Sequence, residues 1–109
     1  MIYAVFESEN GRLCNCSITG HAGFADAGQD IICAAVSSAV QLTANLITET
    51  FQESAEVSAE NNLIKIILNS PGSGNGASLL EGLKLHLQCI SEDYPKTIKI
   101  SDSGGGNNA

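Results

Sequence analysis

The order of hydrophobic and polar positions divides the chain into seven elements. Residues 2–8 hold Tyr3, Val5 and Phe6, types that favour a strand. Asn10-Gly11 is a two-residue hairpin signal. Residues 12–19 then alternate, with Leu13, Asn15, Ser17 and Thr19 on one face and Cys14, Cys16 and Ile18 on the other. This predicts a second strand antiparallel to the first, with Cys14 and Cys16 packed as buried thiols beside Ile18. Residues 20–29 show neither period and carry Gly20, Gly23 and Gly28, which predicts a mobile glycine-rich loop. Residues 31–52 lack Gly and Pro and predict a helix capped by Asp30. Its first half is apolar nearly all round, as in a buried helix.

Residues 55–59 and 62–69 predict a second hairpin, turning at Glu60-Asn61-Asn62. The run from Leu63 to Leu68 is almost continuously apolar, which places that strand inside the sheet. Residues 70–76 read as a loop, and 77–92 as a helix with Leu79, Leu80, Leu83, Leu87 and Ile90 on one side. On that helix Cys89 reads as structural and His86 as a surface residue. Residues 97–102 alternate as a last strand, and 103–109 form a polar, glycine-rich tail expected to be disordered. The order β-β-α-β-β-α-β is α+β: a mixed β-sheet covered by two helices.

Composition narrows the class. A chain of 109 residues, 43% hydrophobic, fits one domain over 1–102, and with no Trp its core falls to Leu, Ile, Val and Ala. Twelve acids against five bases give a net charge of −7, which disfavours nucleic acid and favours a basic partner. The N-terminus turns polar at Glu7 with no basic flank, and no stretch approaches the roughly 20 apolar residues of a membrane span. A cytoplasmic protein with no membrane partner is expected. Its four cysteines then read as thiols, not disulfides. Cys14-Asn15-Cys16 is half of a metal site with no second half, so neither metal nor cofactor is expected.

The candidate chemistry lies where the glycine-rich loop meets the first helix. With Asp30 as cap, Cys33 falls in the first helical turn, where unpaired N–H groups and the positive end of the helix dipole favour thiolate. His21 lies twelve residues earlier, across a loop able to fold back onto the sulfur. An imidazole there takes the thiol proton and later returns it to a leaving amine. N–H groups at the helix start are candidates for holding an oxyanion. Ser37 lies one turn beyond Cys33 on the same face, and Asp30 either orients His21 or only caps the helix.

The residues Gly20-His21-Ala22-Gly23, Gly28 and Asp30-Ile31-Ile32-Cys33-Ala34-Ala35-Val36-Ser37 make this chain similar to the ribosomal-processing cysteine protease (Prp) family. The resemblance extends over nearly the whole domain in length and element order. It implies that His21 and Cys33 are the catalytic dyad and that Asp30 and Ser37 support it. It implies a substrate loop that includes Gly20, Ala22, Gly23 and Gly28 and closes over the substrate. It further implies a homodimer that removes a short N-terminal extension from large-subunit ribosomal protein number twenty-seven. A basic ribosomal substrate suits the acidic chain.

Two other readings compete. A non-enzymatic ribosome-associated module would bind a basic protein through the acidic surface, with salt-sensitive affinity and no turnover. A thiol redox or metal protein would use Cys14 and Cys16. The presence of both His21 and Cys33 favours the protease.

Overall fold

The protein is described by a computed structural model over residues 1–20 and 27–103, with side chains left out of the description at 27–30. Its elements are β1 (Ile2–Glu9), β2 (Arg12–Thr19), α1 (Ala27–Asn45) continued by a π-helical turn (Leu46–Thr50), β3 (Ala55–Glu60), β4 (Leu63–Leu68), α2 (Gly76–Asp93) and β5 (Ile98–Ser103). Of the glycine-rich loop predicted over 20–29, residues 21–26 lie outside the described residues and 27–29 are instead helical, as the start of α1. Of the tail predicted over 103–109, residues 104–109 lie outside them.

The sheet has the order β3-β4-β2-β1-β5. Only the β1–β5 pair is parallel, so the sheet is mixed and the fold is α+β. Both hairpins turn on two residues in the left-handed region: Asn10 and Gly11 at φ 56° and 80°, Asn61 and Asn62 at 53° and 63°. Asn and Gly tolerate that region, and its twist matches the flanking strands. The apolar strand β4 is interior, between β3 and β2.

Alternation gives the sheet one apolar face. Ile2, Ala4 and Phe6 of β1, Cys16 and Ile18 of β2, Ile66 of β4 and Ile98 of β5 join Ile32, Val36 and Val40 of α1 and Leu80, Leu83 and Leu87 of α2 in one buried cluster. Both helices therefore cover the same face. The opposite face presents exposed Tyr3, Lys65 and Lys99. Burial of the large apolar side chains supplies most of the drive, at about 1.5–3 kcal/mol each.

Several expectations are corrected. First, Cys14 and Cys16 do not share a face. The pairing steps from Glu7↔Asn15 to Ser8↔Leu13, so Cys14 is the extra residue of a β-bulge. The slip turns Leu13 into the core, 4% exposed, and leaves Cys14 half-buried while Cys16 is fully buried. Second, α1 begins at Ala27, not after Asp30, so Asp30 lies inside the helix and is not its N-cap. An acid in a first turn complements the helix dipole as it would at the cap, so sequence alone does not separate the two positions.

Third, α1 is buried on one face only. Ile31 and Leu42 are exposed, at 67% and 61%, because the helix lies flat on the sheet and nothing among the described residues covers its outer side. The stretch Ile31–Thr50, at a mean hydropathy of 1.6, is long and apolar enough by length and composition to cross a membrane, contrary to the sequence reading. Its Ile32, Val36, Val40 and Ile47 instead belong to the core. Fourth, Cys89 is exposed on α2, so it is not a packing residue, whereas His86 is exposed as expected.

The start of α2 is held from a distance. Asn75 makes no side-chain cap. The Glu53 carboxylate accepts hydrogen bonds from the backbone N–H groups of Asn75 at 2.6 Å and Gly76 at 2.9 Å. A carboxylate at that end satisfies orphan donors and opposes the helix dipole. The last strand runs to Ser103, one residue into the expected tail.

Candidate active site

Cys33, Val36 and Ser37 lie at i, i+3 and i+4 on α1 and so form one patch of its surface. That patch faces a cavity of about 370 Å³. The sheet supplies the other walls: Ile2 from β1, Ile18 and Gly20 at the end of β2, and Ala59, Asn62, Leu63 and Ile64 from the β3–β4 hairpin. In register, Ala59, Ile64 and Ile18 are lateral neighbours on the helix-covered side of three adjacent strands. They make an apolar wall beside the thiol. Cys33 is half-buried and Ser37 is half-buried, so both reach the cavity while Val36 anchors the helix in the core.

Gly20 is required where it stands. Its φ is +95°, and a side chain there would collide with the Met1 carbonyl oxygen. Glycine lets β2 end tight against β1 and send the chain away beside the cavity.

The remaining predicted site residues divide into two groups. His21, Ala22 and Gly23 lie outside the described residues. Gly28 and Asp30 fall on the first turn of α1. The structure thus brings Cys33, Ser37 and Gly20 around one cavity. The earlier start of α1 changes the chemistry assigned to the helix end. Cys33 is the seventh residue of α1, past the first turn, and the dipole effect falls off within that turn. Among the described residues, the N–H groups that lack an intrahelical acceptor lie at Ala27 to Gln29, a turn before Cys33. The helix start therefore lies a turn away from the sulfur it was expected to act on.

The hairpin wall from Ala59 to Ile64 was missed by sequence reasoning. Its signals were the Asn61-Asn62 turn and the apolar run after it, but nothing local says that this hairpin closes on Cys33.

Cys14 and Cys16 are poor candidates for chemistry. Burial pushes the Cys16 thiol from its ordinary 9.0 to about 12. Cys14 is raised by burial first and then by the charges of Glu9 and Glu7. Its Sγ donates to the Glu7 carbonyl at 3.4 Å. Both are thiols at neutral pH, whereas metals and disulfide exchange need thiolates. Among the described residues no three His, Cys, Asp or Glu side chains gather as a metal site would require.

Comparison with known proteins bears on this cavity. The family model described as cysteine protease Prp matches residues 1–99. The ribosomal processing cysteine protease Prp of Staphylococcus aureus is 24% identical over 96 residues, covering 86% of this chain and 91% of its own. The protein of that name from Bacillus subtilis is 26% identical over 90 residues, covering 77% and 80%. The crystal structure of the S. aureus protease with a substrate peptide superposes with a TM-score of 0.86 at 21% identity, over 94% of this chain and all of that one.

Proposed function

This chain belongs to the cysteine protease Prp family, and from that premise we propose that it removes the N-terminal extension of large-subunit ribosomal protein number twenty-seven, with Cys33 as nucleophile and His21 as base. The observation that carries the reading is the placement of Cys33 in the wall of an open, largely apolar cavity, with Ser37 beside it. The family's solved relatives hold a substrate peptide and a covalently linked product peptide, which is the chemistry expected of a thiol in such a wall.

The reaction is acyl transfer. His21 takes the Cys33 proton as the sulfur attacks the scissile carbonyl carbon. The C–N bond breaks and His21 returns that proton to the departing amine, leaving a thioester on Cys33. Water then attacks the thioester carbonyl, gives a proton to His21, and expels the thiolate as the acid product forms. Ser37 supports the dyad from one turn away, and Asp30 supports it from the start of α1. The resemblance assigns substrate contact to Gly20, Ala22, Gly23 and Gly28, of which Gly28 stands on the first turn of α1. No cofactor takes part.

The test is cleavage of a fluorogenic peptide copying the bacterium's own ribosomal-protein extension. Cys33→Ala is expected to lower kcat/KM by at least about 10⁴-fold with an unchanged circular dichroism spectrum. Cleavage that survives the substitution ends this reading. Kinship with a protease family disfavours the alternative, a binding module without turnover.

We place this activity in the cytoplasm and in a homodimer. The dimer is supported by the outer side of α1, where exposed Leu42 borders an apolar groove of about 460 Å³ between α1 and α2. Leu42→Arg is expected to convert a dimer to a monomer in sedimentation velocity. A species unchanged in mass, or a monomeric parent, argues against that face.

A further inference from the structure

Strand β3 is an edge strand, and its sequence does little to guard the edge. Unpaired N–H and C=O groups along an edge are an open template for another strand. Proteins usually blunt them with charged side chains, above all Lys, or with Pro or a bulge. The stretch Ala55-Glu56-Val57-Ser58-Ala59-Glu60 has no Lys or Pro and is charged only at Glu56 and Glu60, and its pairing with β4 runs from Ala55↔Leu68 to Glu60↔Leu63 without a register shift. Every residue of β3 after Ala55 is exposed. The far edge, β5, contributes no residue to the cavity at Cys33, whereas Ala59 and Glu60 of β3 line it.

The charge of β3 selects the partner. Glu56 and Glu60 are its only charged residues, and both lie with Ser58 on the side away from the helices. Lys65 of β4 stands opposite Ser58, so neither acid has a base directly across from it on that face. An extended chain that adds to this edge meets negative charge at both ends and is led by Ala59 into the cavity.

We propose that the edge of β3 is the docking strand for substrate: an extended, lysine- or arginine-bearing segment pairs with Ala55–Glu60 as a sixth strand and is thereby delivered to Cys33. Main-chain hydrogen bonds supply the affinity, the acids select a basic chain, and the cavity takes the residue at the scissile bond. The inference rests on the protease reading above and adds to it where the peptide lies.

Amide hydrogen exchange on Cys33→Ala protein tests it, with and without a saturating lysine-bearing peptide that spans the scissile junction. Alternate amides of β3, those pointing away from β4, are expected to slow by about tenfold or more. With wild type, N-methylation of alternate peptide amides is expected to raise KM about tenfold at constant kcat, in one parity only. The double substitution E56Q/E60Q is expected to raise KM and flatten its salt dependence. A peptide that is cut by wild type and saturates the variant while β3 exchanges unchanged overturns the docking strand and leaves the protease standing. Protection of β3 without any cleavage does the reverse. A peptide that neither binds nor is cut overturns both.

Discussion

Cys16 on β2 and Cys33 on α1 contact the same buried cluster, and the difference between them lies in what each has on its open side. Cys16 is fully enclosed by the sheet and the helices. Cys33 has core on one side and a cavity of about 370 Å³ on the other. Burial raises the first thiol to about 12, which keeps its proton on and its sulfur unreactive. A thiol at a cavity wall admits both a base and a carbonyl. Cysteine in a core is common and mostly inert, so residue type and burial alone do not mark a nucleophile. Access from one side does.

The largest effect that separates the two concerns turnover. Loss of Cys33 is expected to abolish cleavage and leave the fold intact, as set out above. Loss of Cys16 is expected to do the opposite. Cys16→Ala leaves a small void at the centre of the sheet and costs about 1–2 kcal/mol in urea unfolding, with kcat/KM retained when measured below the transition. A Cys16→Ala enzyme that is stable but inactive breaks the comparison.

The same variant also carries a pH signature. The folded state holds the Cys16 proton up to about 12, against an ordinary 9.0 when exposed. Above 9 the unfolded state loses this proton while the folded state keeps it, so the unfolded state binds fewer protons and stability falls as pH rises. Below 9 both states keep the proton and the contribution is fully present. The loss runs from about 9 to about 12, with a limiting slope near 1.4 kcal/mol per pH unit. Cys16→Ala is expected to flatten that part of the stability profile and leave the region below pH 8 parallel to wild type.

The sequence discloses Cys33 more readily than Cys16, because of what each signal depends on. Strands β2 and β5 follow from alternation, β1 from strand-favouring residue types, β4 from an apolar run, and the helices from composition and helical spacing, all of which are local. Cys33 and Ser37 on one helical face follow from the same local rule. The bulge at Cys14 does not. Leu13-Cys14-Asn15-Cys16 reads equally well in either register, and only pairing with Glu7 and Ser8 decides which residues turn inward. The cavity wall from Ala59 to Ile64 is likewise a product of strand order, since β3 and β4 reach Cys33 only by lying next to β2. The start of α1 is not legible because an Asp is equally at home before and within a first turn.

The smallest effect sharpens the comparison from the other side. Cys14 is two residues from Cys16 yet half-buried, since the bulge turns it off the core face. Its thiol gives a weak, long hydrogen bond to the Glu7 carbonyl and receives one from the Asn15 amide at 3.7 Å. Sulfur is a poor donor and acceptor, and the same Asn15 amide keeps a better partner in the Glu7 carboxylate at 2.9 Å. Cys14→Ala is therefore expected to shift stability by no more than about 0.5 kcal/mol and to leave cleavage unchanged. A loss as large as that of Cys16→Ala would mean that Cys14 shares the interior after all and that the bulge does not form in solution. The shape of the backbone, which decides what each sulfur can reach, then governs three of the four cysteines: Cys14 at the bulge, Cys16 in the core and Cys33 on the wall.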